Sequence, residues 1–308
     1  MKSWTETIAT YTELDDTIVV GRPALSALFF GNAGLAQAGL ACFEDWLARF
    51  EPKTPLYYSH DNSRRIMKLT PKAVKKVRDV FSEQSLETSY QHYYFKTADP
   101  KGAIDECHGH SFEMLITKTA RSYMHLTLPL DTDPAELEAL FRAWCSAHAF
   151  SHAAAGFGFE VAWFNEQAQL VYAPVLRTGL RFHGVRVFYR EHIAFMQDSQ
   201  QTMDTVGWLN YVGADSLEVL GPGALDALQD GVRREDLGDG ILLAAGDAPD
   251  PCDVNRPNET LDALRSINAA LEPIRTQEWT LKGFARDPDQ GYVADPDREQ
   301  DWLTRLDA

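Results

Sequence analysis

The sequence predicts an α+β protein: antiparallel or mixed sheets with helices packed mainly on one side, two halves in one compact body. Three observations lead there. Capped helical stretches recur along the chain. Short β-rich runs follow one another consecutively as well as alternating with helices, which disfavours a doubly wound parallel sheet. The 308 residues, 44% hydrophobic and 24% charged, supply enough apolar side chains for a core.

From the N-terminus, Leu28 to Phe43 is the most apolar stretch. It holds Asn32 and Gln37 and ends at Glu44-Asp45, so it is expected to be a buried helix with its preceding loop and falls short of the roughly 20 apolar residues of a membrane span. Thr70 with Pro71 behind it caps a helix whose Ala73, Val74, Val77, Val80 and Phe81 recur at helical spacing. β-rich runs are expected at Tyr90 to Phe95, Phe112 to Thr117 and Tyr123 to Leu128. In the last, Met124, Leu126 and Leu128 alternate with Tyr123, His125 and Thr127, as on a sheet with one covered face. Asp133-Pro134-Ala135-Glu136 has the form of a capping box, with Leu137, Leu140, Phe141 and Trp144 on one face behind it. Further strands are expected at Phe157 to Trp163, Val185 to Tyr189, Val206 to Val212 and Ile241 to Ala245. A short helix is expected from Pro222 to Gly231, and one capped by Asn258 that ends at Pro273. The expected organisation is one domain over residues 1–285, with an internal division near 165–180 left open, and an acidic C-terminal tail over 286–308 on which Trp302 and Leu306 can dock a final turn.

Charge narrows the function. The 29 basic and 45 acidic residues give a net charge of −16, which argues against nucleic acid or an anionic membrane as partner. The first residues meet polar side chains too soon for a secretory signal, and the four cysteines are scattered without a C-x-x-C pair. Both features lead to the expectation of a cytoplasmic protein. The charge is also segregated. Asp61 to Val80 holds seven basic and two acidic residues; Asp226 to Thr260 holds nine acidic and three basic.

Catalytic and metal motifs are weak. Cys107-His108-Gly109-His110 is the most metal-like cluster, but no second ligand pair stands at finger-like spacing. His148 and His152 would share a helix face only if the helix after Asp133 ran that far. G-x-S-x-G, H-E-x-x-H and P-loop patterns are missing, and Gly156-Phe157-Gly158-Phe159 leads into a strand, not a helix N-terminus. The segment from Gly246 to Arg256 is the densest polar constellation. Its carboxylates can ligate Mg²⁺ or face a cationic partner, while Asp253 and Asn255 read as backbone-bonding residues of a turn ahead of the Asn258 helix. No catalytic residue, metal or cofactor is assigned.

Four segments carry a resemblance: Thr205-Val206-Gly207-Trp208-Leu209-Asn210-Tyr211-Val212-Gly213, then Gly240 to Pro249, then Cys252-Asp253-Val254-Asn255-Arg256, and Ala270-Leu271-Glu272-Pro273-Ile274-Arg275. In that order and spacing they are similar to the bacterial type VI immunity proteins paired with VRR-NUC nuclease toxins, whose strand, Asp-Val-Asn-Arg turn and closing Leu-x-Pro-x-Arg they resemble. Ala155 to Glu160 is similar to that family's Gly/aromatic strand. The resemblance implies a non-catalytic protein that binds and neutralises a cognate nuclease effector by covering its DNA-binding or active site. It also implies structural roles for Gly158, Gly213, Gly246, Asp253, Asn255, Arg256 and Arg275. Candidate contacts with the toxin are Trp208, Tyr211, Asp226, Asp230, Glu235, Asp236, Asp239, Asp247 and Asp250, with Trp279 as a further aromatic. The alternatives are a metal-dependent small-molecule hydrolase and a secretion-system adaptor or chaperone. Oligomeric state is not legible.

Overall fold

The computed structural model describes residues 3–13, 16–31, 35–50, 55–60, 65–82, 90–97, 106–107, 109–117, 122–162, 165–187, 203, 206–256, 258–275, 286–287, 291–292 and 296–307. Its body is one open antiparallel sheet. The strands are β1 (Ala9–Glu13), β2 (Asp16–Gly31), β3 (Leu56–His60), β4 (Met67–Lys68), β5 (Tyr90–Thr97), β6 (Ser111–Thr117), β7 (Ser122–Pro129), β8 (His152–Val161), β9 (Leu209–Val212), β10 (Val232–Leu237) and β11 (Gly240–Ala245). They run in the order β10-β11-β9-β8-β2-β7-β6-β5-β3-β4, with β1 also paired to β2. A separate two-stranded ladder joins β12 (Arg286–Asp287) and β13 (Gly291–Tyr292). The helices are α1 (Leu35–Phe50), α2 (Pro71–Ser82), α3 (Pro134–Ala147), α4 (Asn165–Gly179), α5 (Ala214–Leu220), α6 (Glu259–Ala270) and α7 (Pro296–Leu303). The architecture is α+β, as the pattern of strands and helices predicts.

The centre of the sheet is the strand that periodicity conceals. Leu28 to Gly31 is not a loop before a helix; it is the end of the 16-residue β2, and the helix begins only at Leu35. β2 pairs with β7 on one side and β8 on the other, so both faces of Ala24 to Phe30 are buried. A strand covered on two faces is continuously apolar and shows no alternation. Leu25, Ala27 and Phe29 join the core made with α1, α2 and α3, while Leu28 and Phe30 face the opposite side with Leu115 and Tyr123.

The two sides divide further along. Ala153 and Ala155 of β8 belong to the core under α1 to α3, whereas Ala154 lies with Val212, Leu243, Ala245 and the α6 residues Leu261, Leu264 and Ile267. Successive strand residues point to opposite faces, so α6 covers the second face at the β9–β11 end. Segment 165–179 is helix α4, with Val171 packed over Gly21. The sheet continues past it, because β8 pairs with β2 on one edge and β9 on the other.

The caps set the helix starts. Thr70 Oγ1 accepts from Ala73 N–H (3.3 Å), Asp133 Oδ1 from Ala135 N–H (3.0 Å), and Asn258 Oδ1 from Thr260 and Leu261 N–H (2.8 and 3.2 Å). The helix expected over Pro222 to Gly231 is instead a run of turns. Gly221 and Gly223 take φ of 76° and 84°, which no right-handed helix contains. The helix lies upstream as α5, and Gly221 N–H closes it on Leu217 O. Val185 makes only an isolated bridge to Phe157, and Tyr189 and Trp279 lie outside the described residues.

The C-terminal segment docks as its apolar residues suggest. Trp302 is fully buried in the core with Val171, Tyr172 and Val175 of α4. Leu306 enters the second-face core beside Leu264 and Ile274.

Candidate functional site

The strand order places the two charged stretches at opposite ends of the sheet. β4 and α2, with Arg65 to Ser82 contributing six basic residues and one acidic, stand at one end. β10 is the other edge, and Asp226 to Asp250 around it holds seven acidic residues and two arginines. Nothing in the linear sequence shows this separation, because it depends on which strands are terminal.

At the acidic end, β10 and β11 form a hairpin over the two residues Gly238 and Asp239. Gly238 has φ 61°, the pattern of a type II′ turn. A Cβ there would lie 3.0 Å from Cys145 O. Asp239 accepts from the buried Tyr211 hydroxyl (2.5 Å). Burial first, then that hydrogen bond and the carboxylate's charge, push the phenol well above its usual range. Glu235 takes Arg142 Nη1 at 2.8 Å, and Arg142 Nε reaches Glu138 at 2.9 Å, tying β10 to α3. Arg233 stands 3.7 Å from Asp247 and Arg234 3.7 Å from Asp226. Asp230 and Asp236 are exposed and have no ion-pair partner among the described residues.

Below this hairpin, two adjoining hollows of about 480 and 730 Å³ run along α6. Asp226, Asp230, Glu259 and Asp262 line the larger; Asp262, Glu272 and Asp307 line the smaller, with Arg265 and Arg275. Asp262 and Gln229 border both, so the hollows form one acidic groove. Glu259, Asp262, Glu272 and Asp307 escape sequence reasoning because they come from α6, the turn after it and the C-terminus, which only folding brings together.

The remaining candidates act inside the fold. Trp208 is 3% exposed and donates through Nε1 to Gly246 O (3.3 Å). Tyr211 is fully buried. Neither side chain presents a surface to a partner. Asp250 is half-buried, and its Oδ1 accepts from Cys252 N–H (2.6 Å) and Asn258 Nδ2 (2.7 Å). It thereby supports Cys252, whose φ of 52° is the one left-handed value at a non-glycine among the described residues.

The Asp-Val-Asn-Arg turn is a structural clasp. Asp253 receives Arg181 Nη2 at 2.7 Å and Nε at 3.3 Å, and its Oδ1 accepts from Asn255 N–H (3.1 Å) and Nδ2 (2.9 Å). These bonds, Arg181's the strongest, hold its carboxyl far below the usual range. Asn255 thus bonds the Asp253 carboxylate through its side chain. Arg256 is exposed and contributes its backbone N–H to Asp253 O (2.9 Å). Arg275, 5% exposed, donates to Asn268 Oδ1 (2.8 Å) and lies 2.7 Å from Asp307. At Gly158 a Cβ would fall 2.3 Å from Ser26 Oγ, and at Gly213 1.9 Å from Phe150 O, so close packing demands both glycines.

His183, in the turn that pairs with Cys252, has its pKa lowered to about 4, first by burial and then by the Arg305 and Arg265 charges, against an opposing hydrogen bond that it donates to the Leu180 backbone. Between about 4 and an unfolded value of about 6.5 the native state binds fewer protons than the unfolded chain. Stability is therefore full above pH 6.5 and falls as pH drops towards 4. His183→Gln is expected to flatten that slope in urea midpoints measured from pH 7 to 4; an unchanged slope would assign the acid sensitivity elsewhere.

Alternative chemistry finds little geometry. His148 is the extended residue that ends α3, and His152 begins β8 stacked on Phe30, so they share no helix face. Cys107 is buried, His110 packs on Phe50, and His108 lies outside the described residues. Among the described residues no three His, Cys, Asp or Glu side chains gather to hold a metal ion. A cluster that the sequence does not announce joins His92, Glu113 and Tyr123 at 2.7 and 2.5 Å, but each is at most 5% exposed and sealed from substrate. No helix among the described residues is long and apolar enough to cross a membrane.

Comparison with known proteins agrees with the motifs. The fold is similar to that of a Pseudomonas aeruginosa T6SS protein, PA0821. The two align with a TM-score of 0.75 over 95% of this chain and 84% of that one, at 14% identity, a likeness of fold alone. No curated protein matches the sequence. The family described as type VI immunity for VRR-NUC matches residues 39–306, which take in β3 to β11, the clasp at Asp253 and the docked C-terminus. The chain therefore belongs to the type VI immunity proteins for VRR-NUC.

Proposed function

We propose that this immunity protein neutralises one cognate VRR-NUC effector by seating the acidic end of its sheet on the surface with which the nuclease holds DNA. The observation that carries this reading is the collection of carboxylates from the 226–231 turns, α6, the turn after it and the C-terminus around one groove next to the β10 edge, at the far end of the sheet from the basic helix α2. A nuclease must offer positive charge to phosphate. A surface of opposite charge is steered to it and competes for the same groups. Asp226, Asp230 and Asp236 supply exposed charge, with Asp247 at the rim. Glu235, Asp239 and Asp250 keep the hairpin and the turn in shape.

On this reading the protein turns over no substrate, binds no nucleic acid itself, and works in the cytoplasm, where its target reaches DNA. Its working unit includes the C-terminal segment as well as residues 1–285. The test is co-expression with the cognate VRR-NUC effector, together with DNA cleavage by that effector in vitro. Survival and stoichiometric loss of cleavage are expected. Tight binding with undiminished cleavage would overturn occlusion.

A further inference from the structure

We infer that the β10 edge receives an extended, lysine- or arginine-bearing segment of the effector as an added strand. This proposal rests on the immunity reading above and specifies how the acidic end grips its target. The hairpin's closing pair is Leu237 with Gly240, so pairs exchanging hydrogen bonds recur at Glu235–Leu242 and Arg233–Ala244. Gly246 N–H to Gly231 O (3.2 Å) continues that phase. Arg234 and Asp236 therefore turn their N–H and C=O away from β11. Val232 does likewise, its N–H bonding locally to Gln229 O (3.3 Å). The outward backbone groups of Arg234 and Asp236 have no partner among the described residues.

Protein edges are usually blunted by charged side chains, by proline, by a bulge or by a covering segment, and of these β10 carries only the charges. β10 has no proline, its register with β11 is unbroken from Val232 to Leu237, and its four central residues are exposed. The flanking charges stand on the two faces of the strand, leaving the edge open: Arg233 and Glu235 reach towards α3, and Arg234 towards Asp226 at the groove. An incoming strand would complete the backbone row. Its alternate side chains on the groove side would meet Asp226, Asp230 and Asp236. A second copy of this chain is the less suited occupant, since it would bring seven acidic residues and two arginines against the same set.

The test uses proline to remove an outward N–H without touching the ladder to β11. Binding of the effector's VRR-NUC domain to the full chain is measured by calorimetry for the wild type, Asp236→Pro, Arg234→Pro and the charge control Asp236→Asn, with thermal midpoints for each. The expected result is a loss of about tenfold or more for a proline variant relative to Asp236→Asn, with midpoints unchanged. Slowed amide exchange at Arg234 and Asp236, but not at Arg233 and Glu235, is expected in the wild-type complex, and this reading stands even if both proline variants misfold. Binding of a folded proline variant equal to that of Asp236→Asn, or no protection at the two amides, would overturn strand addition and leave the immunity reading intact. No binding by the wild type would overturn both. A wild-type dimer in sedimentation that Asp236→Pro dissolves would give the edge to a second copy and also overturn the proposal.

Discussion

Trp302→Ala is expected to destabilise the protein by about 3–5 kcal/mol, the range for emptying a buried aromatic site. The side chain is fully buried among α4 residues, and the Arg305 guanidinium lies 4.2 Å over its ring. Four residues on, Leu306 fills the other core against α6, and Asp307 closes the segment by accepting from Asn268 Nδ2 (2.8 Å) and pairing with Arg275. The C-terminus is thus stitched to both cores, which the Arg181–Asp253 clasp also joins. Loss of the indole should loosen both attachments, and with them the wall of the groove that Leu306 and Asp307 line. A guanidinium melt reads the effect directly. Trp302→Phe, which keeps most of the volume, should cost much less; an alanine variant melting with the wild type would show that α7 only rests on the body.

The combined variant Asp226→Lys, Asp230→Lys, Asp236→Lys is expected to slow association with the effector by roughly 10²-fold at low ionic strength and to abolish most of its salt dependence, with little change in thermal midpoint. All three residues are exposed, and among the described residues only Asp226 has an ion-pair partner, at 3.7 Å, so the fold loses little. Three reversals change the charge of one end of the sheet by six, and steering at long range responds to that sum more than to any single contact. Stopped-flow rates over a salt series separate this from lost contacts, which would appear in the dissociation rate. Association unchanged by the triple reversal would move the interface away from β10 and the groove.

How much of this was legible in the sequence depended on whether the signal was local. The caps at Thr70, Asp133 and Asn258 act over two or three residues, and the helices they start are where the sequence places them. The alternation in β7 marks a strand because neighbouring residues there differ in kind, although the structure buries both of its faces and not the one face the alternation predicts. β2 lacked both cues. Pro23 and Gly21 interrupt it and Ala24 to Phe30 is apolar except for Ser26, since β7 and β8 flank it and cores lie on both faces. Pro23 is tolerated because β1 pairs no further along β2 than Gly21 and β7 begins at Ala24.

The same distinction governs the site. The acidic stretch from Asp226 to Asp250 was visible as composition, but which carboxylates face solvent was not. Asp250 is spent on holding Cys252 in its turn and Asp239 on the Tyr211 hydroxyl, roles that require partners close only in space. Trp208 and Tyr211 were attractive as aromatic anchors, and the sheet register buries both. In their place, Glu259 and Asp262 on the first turn of α6 complete the groove.

Competition with DNA tests the central claim most directly. A catalytically inactive form of the effector is loaded with fluorescently labelled duplex, and the immunity protein is titrated in while anisotropy is followed. If the acidic end covers the DNA-binding surface, the duplex is released in proportion to complex formed, and excess DNA raises the apparent dissociation constant of the protein pair. A stable ternary complex, with DNA held as tightly as before and the immunity protein bound beside it, would contradict occlusion.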